Sequence, residues 1–225
     1  MFDTLKQDLR YALRGLLATP GFFLVAVATL ALGVGSVSAV YSVVDGTLLK
    51  PLPYPDAERI VRIAREQPPY GGPVSPPVLD DWRQGTGEAF AAMAAFSEAT
   101  VNLSGSGEAE RIRAWRVTPE FWPVMDLPAL AGRYFTADED AGGERVVVLG
   151  HALWQRRFGA DPAIVGTDIV INNQAHRVLG VTPPAFRYPA GDVAYLPTYL
   201  GAAAADRGSN YLSVVARLRP GVELE

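Results

Sequence analysis

Two histidines, an acidic triplet and a serine between glycines are the groups in this sequence whose types invite a chemical reading. His151 and His176 stand 25 residues apart on separate expected elements, without the HExxH spacing that brings two imidazoles onto one helix face. The chain has no cysteine to complete a zinc site or act as a thiol nucleophile, so both histidines read as structural or surface residues. Asp138, Glu139 and Asp140 offer oxygens to a cation. Thr136 precedes Glu139 at capping-box spacing, however, and the triplet reads as a capped helix start or a solvated acidic loop.

Gly105-Ser106-Gly107 resembles a nucleophile turn only at its centre, because the GxSxG pattern needs glycine at position 104, which is serine. A phosphate-cradling GxxxxGK[ST] loop is absent from the sequence, so ATP hydrolysis is not expected of this chain. Trp82, Trp115, Trp122 and Trp154 fit either a ligand groove or a core, and core is the more ordinary use. No catalytic, cofactor-binding or metal-binding residue is assigned, no cofactor is expected, and the chain is read as a non-enzyme.

The elements that surround these residues point to a membrane. Residues 15–44 carry no formal charge, and Phe22 to Val44 reads FFLVAVATLALGVGSVSAVYSVV. At about 1.5 Å per residue, about 20 residues cross a hydrocarbon core of about 30 Å. A buried helix of a soluble protein seldom stays uncharged this long. The stronger competitor is a cleaved signal peptide, with Phe22 to Leu32 as its apolar region and Val37-Ser38-Ala39 as its cleavage site. Apolar character resumes at Val40, Tyr41, Val43 and Val44, so an uncleaved anchor fits better.

Lys6, Arg10 and Arg14 precede this span and only Lys50 closely follows it, which places the N-terminus in the cytoplasm and residues 51–225 outside. The three leading cations recur every four residues beside Leu5, Leu9, Leu13 and Leu16, the pattern of a short interfacial helix pressed on membrane lipid or packed on protein. Within the span, Ala31, Gly35 and Ala39 fall at small-xxx-small spacing, which admits a close helix neighbour. That neighbour is expected in another chain, because no second long apolar stretch follows.

Downstream of the span the chain reads as an α+β domain. Eight prolines between residues 51 and 79 predict an extended lead, interrupted by one strand at Arg59 to Arg65. Short helices are expected at Pro76 to Arg83 and Glu88 to Phe96, and a strand pair at Ala99 to Leu103 and Arg111 to Val117. Thr118-Pro119-Glu120 predicts a capped helix through Met125. Arg145 to Leu149 reads as a strand and His151 to Phe158 as a helix stopped by Gly159. Thr167 to Ile171 and Gln174 to Val181 predict a hairpin across Asn172-Asn173. Tyr211 to Leu218 alternates as a strand with one buried face. The organisation expected is a cytoplasmic amphipathic segment over 1–20, a transmembrane helix over 21–45, a proline-rich lead over 46–79 and an extracytoplasmic core domain over 80–225.

A net charge of −4 supplies no concentrated basic surface for phosphates, so no nucleic acid is expected as a partner. Lack of cysteine excludes a disulfide framework without fixing the compartment.

The stretch LKQDLRYALRGLLATPGFFLVAVATLALGVGSVSAVYSVVDGTLLKPLPYP resembles the first membrane helix of MacB-like and FtsX-like permease subunits of ABC transporters. VVVLGHALWQRRFGADPAIVG, from Val146 to Gly166, and the terminal VARLRPGVELE resemble the periplasmic core domain of the same permeases. The resemblance implies a permease component of an ABC-type export or mechanotransmission system in the cytoplasmic (inner) membrane. The partners it implies are other permease membrane helices, a separate ATP-binding subunit and a periplasmic partner. Such permeases continue into further membrane helices and a coupling segment that touches the ATPase. A chain ending at Glu225 is accordingly read as a truncation or fragment; the alternative is a freestanding membrane-tethered periplasmic binding or adaptor protein.

Overall fold

The computed structural model describes residues 20–44, 54–66, 71–105, 107–189, 193–199 and 205–222. The chain divides after Leu52 into two compact units.

Among the described residues of the first unit, one helix, α1, runs over Pro20–Val44, where the span is expected. Proline suits a first helical position, where its missing N–H is not needed. The hydroxyls of Thr29 and Ser36 donate to the carbonyls of Val25 (2.8 Å) and Gly33 (3.0 Å), so the helix itself satisfies these two polar side chains. Apart from Pro20, the amphipathic segment expected over residues 1–20 lies outside the described residues.

The second unit begins at Pro53 and absorbs most of the described part of the expected lead. Tyr54 is buried, and its hydroxyl accepts the backbone N–H groups of Arg187 and Tyr188 at 3.1 and 2.9 Å. A 3-10 turn at Ala57–Arg59 leads into β1, Ile60–Ile63, which pairs antiparallel with β9, Ser213–Leu218. Val74 and Ser75 are buried at the start of α2, Pro76–Gly85. Residues 54–66 and 71–79 therefore fold as part of the domain.

The helix expected at Glu88 to Phe96 is instead the start of a 15-residue strand, β2, Phe90–Ser104. Phe90, Met93 and Phe96 have helical spacing, but Met93 and Ala95 pack toward α2 while Ala94 and Phe96 enter a second core. Burial on both faces erases the alternation by which a strand is recognised. β9 corrects the expected one-faced strand for the same reason, since residues 214–218 are all buried, Arg217 included.

β2 pairs with β9 along its first half and with β3, Glu110–Val117, along its second. The remaining strands are β4, Ala131–Gly132; β5, Val146–Leu149; β6, Asp168–Ile171; β7, Gln174–Val181; and β8, Ala194–Pro197. β6 pairs with both β7 and the far end of β2, which closes β2-β3-β8-β5-β7-β6 into a six-stranded ring. Alternate residues point inside it, among them Leu103, Ile112, Leu149, Ile171, Val178 and Leu196. Leu153 and Trp154 of α5, His151–Phe158, join that cluster from the end reached by the close of β5.

A second core lies under α3, Phe121–Met125, and a third under α2. The residue at the N-cap position of α3 is Glu120, two residues beyond the expected Thr118, whose hydroxyl is taken by the Ala95 N–H at 3.1 Å. The β6–β7 hairpin turns on Asn172 and Asn173, at φ of 49° and 61°, as their side chains allow.

Candidate functional surfaces

The apolar surface of α1 is the most distinctive feature of the described residues. Twenty-three of its residues, Pro20–Ser42, form one helix long and apolar enough to cross a membrane. Leu32 is 75% exposed and Phe22 69%, so large apolar side chains stand on its outside. A methyl group placed on Gly35 would meet nothing within 4 Å, which leaves the small-residue face open to a neighbour.

The groups singled out in the sequence are dispersed in the fold. His151 opens α5 with its ring 5.7 Å from that of Trp154, whereas His176 lies in β7 with Nδ1 2.9 Å from the Gln174 carbonyl oxygen. Among the described residues no group of three or more histidines and carboxylates could hold a metal ion. The acidic triplet belongs to α4, Ala137–Ala141, and completes the capping box with Thr136. Glu139 also receives both terminal nitrogens of Arg133, at 2.6 and 2.8 Å. Those bonds, with the N-cap N–H and hydroxyl of Thr136, hold its carboxyl down at about 2 against the burial that opposes them. Asp140 shifts the other way, raised by burial, while accepting the Tyr199 N–H at 2.9 Å.

Trp122 and Trp154 are buried, and Trp115 and Trp82 pack at core margins. Trp122 stacks on Tyr134 with centroids 4.1 Å apart and planes 1° from parallel. Gly105 and Gly107, at φ of +93° and +86°, turn the chain between β2 and β3; Ser106 lies outside the described residues.

Two features were not anticipated. Arg217, 5% exposed, donates from Nε to the Val124 carbonyl at 2.8 Å and from Nη1 to the Pro55 carbonyl at 2.9 Å. It thereby answers a carbonyl at the end of α3 and ties the entry segment to the last strand. The other is a polar cleft of about 290 Å³ at the ring end where β3 and β8 finish and β5 and β7 begin. Its lining comes from residues 116, 143–146, 171–176 and 196–199, too scattered for any sequence spacing to bring together.

Along the chain, one helix long and apolar enough to cross a membrane precedes a compact strand-ring domain. Residues 23–225 match the family model for the MacB-like periplasmic core domain, and the chain belongs to that family. The fold is similar to the periplasmic region of MacB from Actinobacillus actinomycetemcomitans, at 15% identity and a TM-score of 0.56 over 73% of this chain and 75% of that one. It is also similar to the extracellular domain of the noncanonic ABC-type transporter YknZ from Gram-positive bacteria, at 15% identity and a TM-score of 0.52 over 72% and 83%. A domain of a protein described as a permease from Porphyromonas gingivalis gives 18% identity and a TM-score of 0.57 over 76% and 79%. At these identities the likeness is one of fold. Comparison with curated proteins gives no match. The chain thus carries the periplasmic core domain of the MacB-like ABC transporter permeases.

Proposed function

We propose that this chain is a membrane-anchored component of an ABC-type export or mechanotransmission permease, with its N-terminus in the cytoplasm and residues 51–225 outside. The outer domain couples to partner proteins, while a separate ATP-binding subunit supplies hydrolysis. The observation that carries the reading is one exposed apolar helix, Pro20–Val44, leading into a domain that matches the periplasmic core family. The excess of Lys6, Arg10 and Arg14 over Lys50 supports the orientation.

Because the chain has no cysteine, one introduced thiol reports topology without background. On spheroplasts, a membrane-impermeant maleimide should label Thr100→Cys, an exposed position on β2, at once. It should label Gln7→Cys only after permeabilisation. The opposite pattern overturns the orientation. Co-purification with an ATP-binding subunit tests the coupling; the chain alone should bind no ATP, and stoichiometric binding by calorimetry would refute the passive role.

A further inference from the structure

The six-stranded ring has one end filled and one end open. Leu153 and Trp154 of α5 occupy the end at the close of β5, whereas the polar cleft occupies the end where β5 begins. We propose that this open mouth is a binding site for a compact organic anion bearing carboxylate or phosphate oxygens.

Among the described residues, cationic side chains outnumber carboxylates around the cleft. Arg116 near the end of β3, Arg145 just before β5, His176 and Gln174 all line it, and Glu144 is the one carboxylate that does so. Glu144 also lies close enough to Arg133 to interact with that cation. Arg116 is the decisive group. Its place on β3 is in register with Ile112 and Ala114, two residues of the ring interior, so its guanidinium stands at the mouth of the ring. It is half-buried there, and its hydrogen bond to the Pro197 carbonyl is 3.5 Å long, at the outer limit of such a contact.

Two other half-buried arginines of the domain are better served. Arg59 reaches the Leu218 carbonyl at 2.6 Å, and Arg83 reaches Glu120 at 2.8 Å. A guanidinium carries five donors in a planar fork suited to paired oxygen acceptors, and one long contact uses little of that capacity in Arg116. An anion seated between Arg116 and Arg145 supplies those acceptors. Ile171 and Leu196 line the same cleft and favour an organic body over a bare inorganic ion. A cleft of about 290 Å³ admits a ligand of small-metabolite or headgroup size.

The test is isothermal titration calorimetry on the full chain in nanodiscs of uncharged lipid, at fixed ionic strength, with citrate in one arm and sn-glycerol 3-phosphate in the other. Saturable one-to-one binding of either probe is expected. Preference for citrate identifies a carboxylate ligand and preference for glycerol phosphate a phosphate one. Arg116→Gln should weaken binding at least about tenfold, the effect of losing a charge-assisted pair. Arg113→Gln, exposed on the outside of the same strand, should leave it unchanged. If Arg116→Gln fails to fold by thermal unfolding, Arg145→Gln replaces it with the same expectation. Failure of both probes to saturate, unchanged binding in the mouth variant, or equal loss in Arg113→Gln overturns the proposal. None of these outcomes bears on the membrane topology.

Discussion

Replacing Glu139 with glutamine tests how much the bidentate ion pair with Arg133 contributes at the start of α4. Glutamine keeps the shape and one acceptor oxygen for the capping box, and loses the charge together with the second oxygen, the one that accepts Arg133 Nη2 at 2.6 Å. Hydrogen bonding to Arg133 first and then to Thr136, against opposing burial, takes the Glu139 carboxyl from an ordinary value near 4.5 to about 2, and a displacement of that size corresponds to about 3 kcal/mol if wholly realised. The Arg133 side chain is 55% exposed, so solvent screens the pair, and the retained contribution is about 1–2 kcal/mol. Because the folded-state value is depressed, this stability is fully present above pH 4.5 and is lost as pH falls toward 2. Urea unfolding of the full chain at pH 7 should therefore show Glu139→Gln less stable by about 1–2 kcal/mol. The gap between variant and parent should narrow steadily from pH 4.5 to pH 2.5. Arg133→Ala should show much the same loss, and adding it to Glu139→Gln should cost little more. Equal stability at pH 7, or a gap that persists unchanged in acid, would refute the electrostatic account.

Three further perturbations separate the parts of the structure. Leu103→Ala empties a fully buried position inside the ring and should cost about 2–5 kcal/mol in urea unfolding, whereas Leu130→Ala, at a half-exposed site, should stay within about 0.5 kcal/mol. Gly180→Ala sets a methyl 2.5 Å from the Arg133 carbonyl oxygen and 2.7 Å from that of Ala131, so β4 must move; a loss of about 1–3 kcal/mol is expected, and one below about 0.5 kcal/mol contradicts the close approach. Gly35→Leu should abolish association of α1 with partner membrane helices in crosslinking while leaving insertion intact, since leucine is favourable at a helix centre. Unchanged crosslinking would mark the small-residue spacing as incidental.

The elements legible in the sequence are those whose signals are local. Uncharged length gave α1, Thr136 with Glu139 gave the start of α4, Gly159 gave the end of α5, and Asn172-Asn173 gave a hairpin. The elements misread are those whose character comes from distant partners. Ala92, Ala94 and Ala95 look helical alone and become strand because β9 and β3 pair with β2 and cores press on both its faces. Arg217 looks solvent-facing and is buried because carbonyls 93 and 162 residues away receive it. The ring's open mouth was invisible for the same reason, being assembled from the ends of five strands and the loops beside them.

The 15 residues of β2 serve two parts of one sheet at once, β9 bonding to the first half and β3 and β6 to the second. Ladder hydrogen bonds in antiparallel pairs lie across the strand direction, so a pull along β2 strains many of them together and does not peel them open one by one. At about 3.3 Å per residue this makes a tie of about 50 Å that is stiff along its length and anchored at both ends. A load entering the β1–β9 side of the domain therefore reaches the ring as displacement and is not dissipated in a joint between the two.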